Sequence, residues 1–229
     1  MNKVEKIYEK IKLNNENLQG KVHLFFHLIM TSDFEELTES RFTSVFLMKM
    51  FNAFIKGANL DMILSEIRNL ERPDENKRRM KPATQFKHKP LEGLWHKHYE
   101  QVGISAMALN IKNQIKVSKS FFKDFDEVLN DPMLSLEEKA SQLAYLSSGK
   151  QYLERIKSGN LTGEWIVYHI HKNKNYYLNI CKHNDDDRII AEEIKKIALF
   201  EFPSFKNEID IFKIHEESEI DDGMEKQTD

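Results

Sequence analysis

Residues 163–183 read Gly-Glu-Trp-Ile-Val-Tyr-His-Ile-His-Lys-Asn-Lys-Asn-Tyr-Tyr-Leu-Asn-Ile-Cys-Lys-His, and this stretch decides the fold. Residues 165–171 and 176–183 are rich in β-branched and aromatic side chains at a period of two, the pattern of strands that present alternate residues to opposite faces. The polar segment 172–175 between them reads as the turn of a β-hairpin. A three-residue loop (Lys172, Asn173, Lys174) places Ile166, Tyr168, Ile170, Tyr176, Leu178 and Ile180 on one wholly core-like face. The other face then carries Val167, His169, His171, Tyr177, Asn179 and Cys181. A one-residue slip inverts every side chain, so amphipathicity selects this odd-numbered loop. Two strands alone are marginal, and residues 94–99 are the candidate for a third.

Upstream, the period lengthens to that of helices. Val4, Ile7, Tyr8 and Ile11 form one amphipathic stripe and Leu60, Ile63, Leu64 and Ile67 another. Between them, 34–55 is apolar on nearly every side and is predicted to be one buried central helix, with its Met and Phe residues as core filling. Pro73 ends this region. Helical spacing returns at Phe121, Phe122, Phe125, Val128 and Leu129, and Ser135 with Glu138 has the spacing of a capping box. Breaks are expected near Ser147-Ser148-Gly149 and at Ser158-Gly159. Asp185 to Asp187 supply acidic caps for a last helix whose inner side is Ile190, Ile194, Ile197 and Ala198. The expected fold class is α+β, a predominantly helical body with a small antiparallel β-sheet in the C-terminal half. Four stretches follow: a helical region 1–72, a basic segment 73–99 with the candidate strand, helices plus hairpin and closing helix over 100–206, and an acidic, disordered tail 207–229.

A chain of 229 residues, 40% hydrophobic, can bury a core for one domain or two small ones. Its one cysteine, Cys181, excludes a disulfide framework and a multi-thiolate zinc site from this chain alone, and points to the cytoplasm. The apolar run 42–55 is interrupted by Thr43, Ser44, Lys49 and Asn52 and is too short to cross a bilayer, so no membrane partner is expected. The N-terminus lacks the continuous apolar segment of a secretory signal.

Charge is unevenly laid out. The net charge is −3, yet residues 207–229 hold nine acids against two bases, which leaves the preceding chain net basic. Such a tail solubilises, or competes with nucleic acid for a basic face. The strongest basic stretch, 77–98, carries Lys77, Arg78, Arg79, Lys81, Lys87, Lys89 and Lys97 against Glu92 alone, with Phe86 and Trp95 interleaved. Cationic side chains attract phosphates and aromatic rings stack on unpaired bases, so this segment reads either as a single-stranded RNA contact or as a solvated linker.

Two His-X-His pairs, His96/His98 and His169/His171, carry the candidate chemistry. Residues two apart on a strand project to one side about 7 Å apart. That suits a metal site, or metal-free acid–base work on RNA in which one imidazole takes the 2′-hydroxyl proton and another protonates the leaving oxygen. Neither pair has a carboxylate at compact spacing, so no metal ligand and no cofactor is assigned. The leading expectation is a metal-independent ribonuclease of bacterial toxin or defence type. His171 and His98 are general base and acid in either order, with His96 and His169 beside them, and Lys97 steadies the charged phosphorane. Arg78, Arg79, Lys87, Lys89, Trp95, Tyr99 and Tyr177 position the RNA. The alternatives are a non-catalytic adaptor that binds nucleic acid or protein, a His-ligated metalloenzyme, and histidines that merely face solvent. His23 and His27, four apart on a helix, lack a third ligand and read as packing.

The helical leading part, the hairpin 163–183 and the closing helix together resemble the small sheet core of metal-independent toxin ribonucleases related to barnase, EndoU, colicins and RelE-type toxins. The resemblance covers about residues 91–206 and rests on the pattern of elements. It implies RNA cleavage by His, Lys and Tyr side chains on an open sheet face, and an antitoxin or immunity partner.

Overall fold

The computed structural model describes residues 1–73, 80–100, 104–161, 163–182 and 185–213. Five helices lead: α1 (Lys3–Tyr8), α2 (Glu16–Thr31), α3 (Phe34–Thr38), α4 (Ser44–Ile55) and α5 (Leu60–Glu71). Strands β1 (Thr84–Gln85) and β2 (Trp95–Tyr99) follow, then helices α6 (Ile104–Val117), α7 (Phe121–Asn130), α8 (Leu136–Ser147) and α9 (Gly149–Lys157). Strands β3 (Glu164–His171) and β4 (Lys174–Cys181) and helix α10 (Asp187–Glu201) complete the order. The strands form an antiparallel sheet in the order β1-β2-β3-β4, so the fold is α+β, and the candidate third strand is β2. Among the described residues no helix is long and apolar enough to cross a membrane.

The central helix expected over 34–55 is interrupted. Glu39 and Ser40 take positive φ angles of 47° and 61°, which end α3. Arg41 to Thr43 then run extended along β4, where Tyr177 N donates to Arg41 O and Thr43 N to Tyr177 O, both at 2.9 Å. This covers the edge strand, whose unpaired amides otherwise invite other strands. Thr43 restarts the helix by accepting from Phe46 N. The capping box of Ser135 and Glu138, the break before Gly149 and the Asp186 cap of α10 form where the sequence places them.

The hairpin register also differs from expectation. Its loop has two residues, Lys172 and Asn173, with φ of 49° and 60°, the double positive φ of a type I′ turn. An even loop brings Tyr177 opposite Tyr168 and Tyr176 opposite His169. A bulge then inserts Leu178, so Val167 faces Asn179 and Ile166 regains Ile180. Tyr176 and Leu178 therefore join the histidine face and Tyr177 leaves it.

Both faces of the sheet are covered. The first carries Ile166, Tyr168, Tyr177, Ile180 and Tyr99 against Phe25, Phe26, Phe42, Phe46 and Met50 of the N-terminal helices. The second carries Val167, Leu178 and Cys181 against Ile190, Ile194 and Ala198 of α10 and against Phe205, Ile211 and Phe212. Burying each such side chain contributes about 1.5–3 kcal/mol. Ile211 and Phe212 belong to the stretch expected to be a disordered tail. They fill the second layer, so the packed chain runs to Lys213, and 214–229 lie outside the described residues.

Candidate functional site: a histidine pair closed by Glu208

Register fixes where each candidate residue points. His96 pairs with Val167 and His98 with Trp165, so all four histidines of the two pairs share the second face. Lys97 and Tyr99, at alternate positions, project to the first, as Trp95 does opposite Tyr168. The face that was expected to be open and polar is instead a core. His169 and His171 are only 4% and 6% exposed.

What closes over them is a carboxylate 37 residues further along the chain. After α10, Pro203 begins a 3-10 turn, and Asn207 adopts φ of 66°, a left-handed conformation that Asn tolerates. Asn207 N donates to Phe212 O at 3.2 Å and Glu208 N to Phe205 O at 3.0 Å, which locks the loop. The Phe205 and Phe212 rings stack 5.3 Å apart, and each meets the His169 ring edge-on, at 4.9 and 5.3 Å. Glu208 is thereby held over the pair. Its Oε2 lies 2.8 Å from His169 Nε2 and its Oε1 2.5 Å from His171 Nδ1. A carboxylate only accepts, so each imidazole presents an N–H to it.

Electrostatics keep His169 neutral. Burial lowers its pKa from the ordinary value of 6.5, outweighing the attraction of Glu208. Its other nitrogen, Nδ1, is buried without a hydrogen-bond partner, and protonation would place an unmatched N–H there. Burial alone would push the Glu208 carboxyl up, but the hydrogen bonds from both imidazoles together hold it below its ordinary value.

The chemical potential of the cluster lies in its donor set. One atom each from His169, His171 and Glu208 fall within 4.8 Å of one another. A divalent cation held at about 2.0–2.2 Å from each ligand sets neighbouring ligand atoms about 3.0–3.5 Å apart, so a small closure converts the cluster into a two-histidine, one-carboxylate site. Metal-ligating imidazoles usually donate their second N–H to an acceptor, and His169 Nδ1 has none.

The remaining candidates disperse. His96 sits among aromatic rings, 4.5 Å from Phe86 and 5.0 Å from Trp165, with His98 at 5.6 Å. Val167, fully buried, occupies the row between His96 and His169. Lys97 cannot assist any of them. It lies across the sheet, 5% exposed, paired with Glu66 at 3.0 Å and donating to Lys81 O at 2.6 Å. Tyr99 donates to Glu164 at 2.5 Å and Tyr177 to Glu71 at 2.6 Å; burial first, then the carboxylate, drives both phenols upward and keeps them neutral. Trp95 packs against the N-terminal core. Lys87 and Lys89 are exposed, and Lys89 reaches Asp210 at 3.3 Å. Arg78 and Arg79 lie outside the described residues. His23 is exposed and engages Tyr8 and Gln19, while His27 is exposed on the same helix.

Sequence reasoning missed Glu208 because its acidic surroundings read as tail. The apolar Phe205, Ile209, Ile211 and Phe212 around it were the available signal that the segment packs. Comparison of the chain with protein-family profiles, with curated proteins and with solved structures gives no match.

Proposed function

We propose that this chain is a His-ligated metalloprotein, binding one divalent transition-metal ion through His169 Nε2, His171 Nδ1 and a Glu208 oxygen. The observation that carries the reading is the convergence of three such donors within 4.8 Å, from two elements far apart in sequence. Two imidazoles and one carboxylate suit zinc or ferrous iron, and three protein ligands leave coordination positions for water or substrate. Bound metal would activate a water in such a position. The missing partner of His169 Nδ1 predicts an affinity about 10–100-fold below that of a fully supported site. The single free thiol suits a reducing compartment, the cytoplasm.

The test is metal analysis of protein purified without added ions, followed by thermal melts with zinc and with ferrous iron. Binding at 100 times Kd adds about 2.7 kcal/mol of stability, and Glu208→Gln and His171→Ala abolish the gain. A chain that carries no metal and melts identically with either ion overturns the reading.

Metal-free RNA cleavage is the second reading, favoured by the exposed Lys89, which reaches Asp210 two residues beyond Glu208. Cleavage that persists in excess chelator but disappears in His171→Ala selects it over the first. Under that reading an antitoxin or immunity protein is the expected partner.

A further inference from the structure

Two arginines are equally buried in this chain and are matched very differently. Arg41 and Arg155 are each 7% exposed. Arg41 lies 3.1 Å from the Glu71 carboxylate and donates to the carbonyls of Leu37 and Asn175. Arg155, on α9 where it packs against α6, meets only a neutral group: its Nε donates to Asn110 Oδ1 at 3.2 Å. Its two terminal nitrogens make no hydrogen bond or ion pair among the described residues, and both still touch solvent. No acid supports the charge, since burial alone moves its pKa, downward. A guanidinium nevertheless keeps its proton at neutral pH. The acids around α9 are engaged elsewhere. Glu154 accepts from Gln114 at 3.3 Å, Glu100 from the Tyr152 hydroxyl at 2.6 Å, and Asp124 pairs with Lys150 at 2.7 Å. Against these three acids, α6 and α9 hold five bases, Lys112, Lys116, Lys150, Arg155 and Lys157.

We infer that Arg155 anchors a binding site for a phosphate group at the seam of α6 and α9. Asn110 fixes the guanidinium by its Nε edge and leaves the terminal N–H groups side by side toward solvent, the fork that takes two oxygens of one phosphate or carboxylate. A charge so far withdrawn from water is costly without a counter-charge, and a bound anion supplies it. The excess of basic side chains favours the more highly charged of the two groups, phosphate. Gln151, one turn before Arg155 and 1% exposed, continues the same buried face, and its amide oxygen also lacks a partner. The seam is therefore polar where a purely structural helix contact would be apolar. The site is independent of Glu208 and the histidine pair, and stands or falls separately from the metal reading.

Calorimetric titration of the full chain with inorganic phosphate tests it, with acetate as the second probe. Saturable one-site binding is expected, tighter for phosphate than for acetate. Arg155→Gln removes the fork and is expected to weaken phosphate binding more than about tenfold. Asn110→Asp keeps the shape of the seam and places an acid against the guanidinium. It is expected to raise the melting temperature and to weaken phosphate binding by a similar factor, because the counter-charge is then internal. Thermal melts check both folds, and Asn110→Asp decides the question if Arg155→Gln unfolds. Absence of saturable binding to the wild-type chain, or binding within about twofold of wild type in either folded variant, overturns the proposal. Acetate binding as tightly as phosphate overturns the assignment of the ligand.

Discussion

The two faces of the sheet bury polar groups by opposite means. On the first, cations and phenols meet carboxylates one to one or in small networks: Lys97 with Glu66, Tyr99 with Glu164, and Arg41 and Tyr177 with Glu71. On the second, two imidazoles share the single carboxylate of Glu208, and one of their nitrogens is left without a partner. Buried charge is stable only when matched, so the first face reads as finished structure. The second keeps unspent coordinating capacity, which is why the functional proposal rests there.

The largest expected effect comes from breaking the first face. Lys97→Ala strands Glu66 in a site where both side chains are under 10% exposed, and should lower unfolding stability by about 3–5 kcal/mol in urea denaturation. A loss below about 1 kcal/mol would show that the pair is not buried as described. Glu208→Ala removes the acceptor of two buried N–H groups and should cost about 2–4 kcal/mol in metal-free protein, measured the same way. Unlike Lys97→Ala, it should also erase metal-induced stabilisation, and that difference separates a structural face from a binding one. Tyr177→Phe should cost only about 1 kcal/mol, because Glu71 keeps Arg41 and the Asn175 amide as partners.

The smallest effect lies in the helices over the first face and depends on pH. Arg68 holds the Asp33 carboxyl below its ordinary 3.8 through paired hydrogen bonds of 2.7 and 2.8 Å. A depressed carboxyl stabilises the fold fully above its unfolded value, and that contribution disappears as pH falls through the folded value. Asp33→Asn should therefore cost at most about 1 kcal/mol at neutral pH for this partly exposed pair, and nothing in strong acid. A mutant whose deficit is the same at pH 7 and pH 2 contradicts the ion pair.

The helices α6 to α9 show a limit of periodicity. The apolar spacing of α7 was legible and α6 was not read at all; the Ser135 cap and the break before Gly149 fall where expected, yet α8 buries no residue and Phe122, Met133 and Leu136 stay exposed. What is buried there is largely polar: Gln151, and Arg155 donating to Asn110, and burial lowers the Arg155 guanidinium. A stripe shows which side of a helix can pack, and a neighbour decides whether it does.

The sequence by itself determined the α+β class, the hairpin and its neighbouring strand, the caps at Ser135 and Asp186 and the break before Gly149, because these follow from local backbone preference and short-range periodicity. Tertiary structure alone decided the two-residue turn with its compensating bulge, the extended interruption at Arg41 to Thr43, the separation of Lys97 from the histidines, and the arrival of Glu208. Each depends on which surfaces meet across the sheet. A one-residue change of register exchanges faces, and a carboxylate 37 residues away joins a site only when the chain between folds back over it.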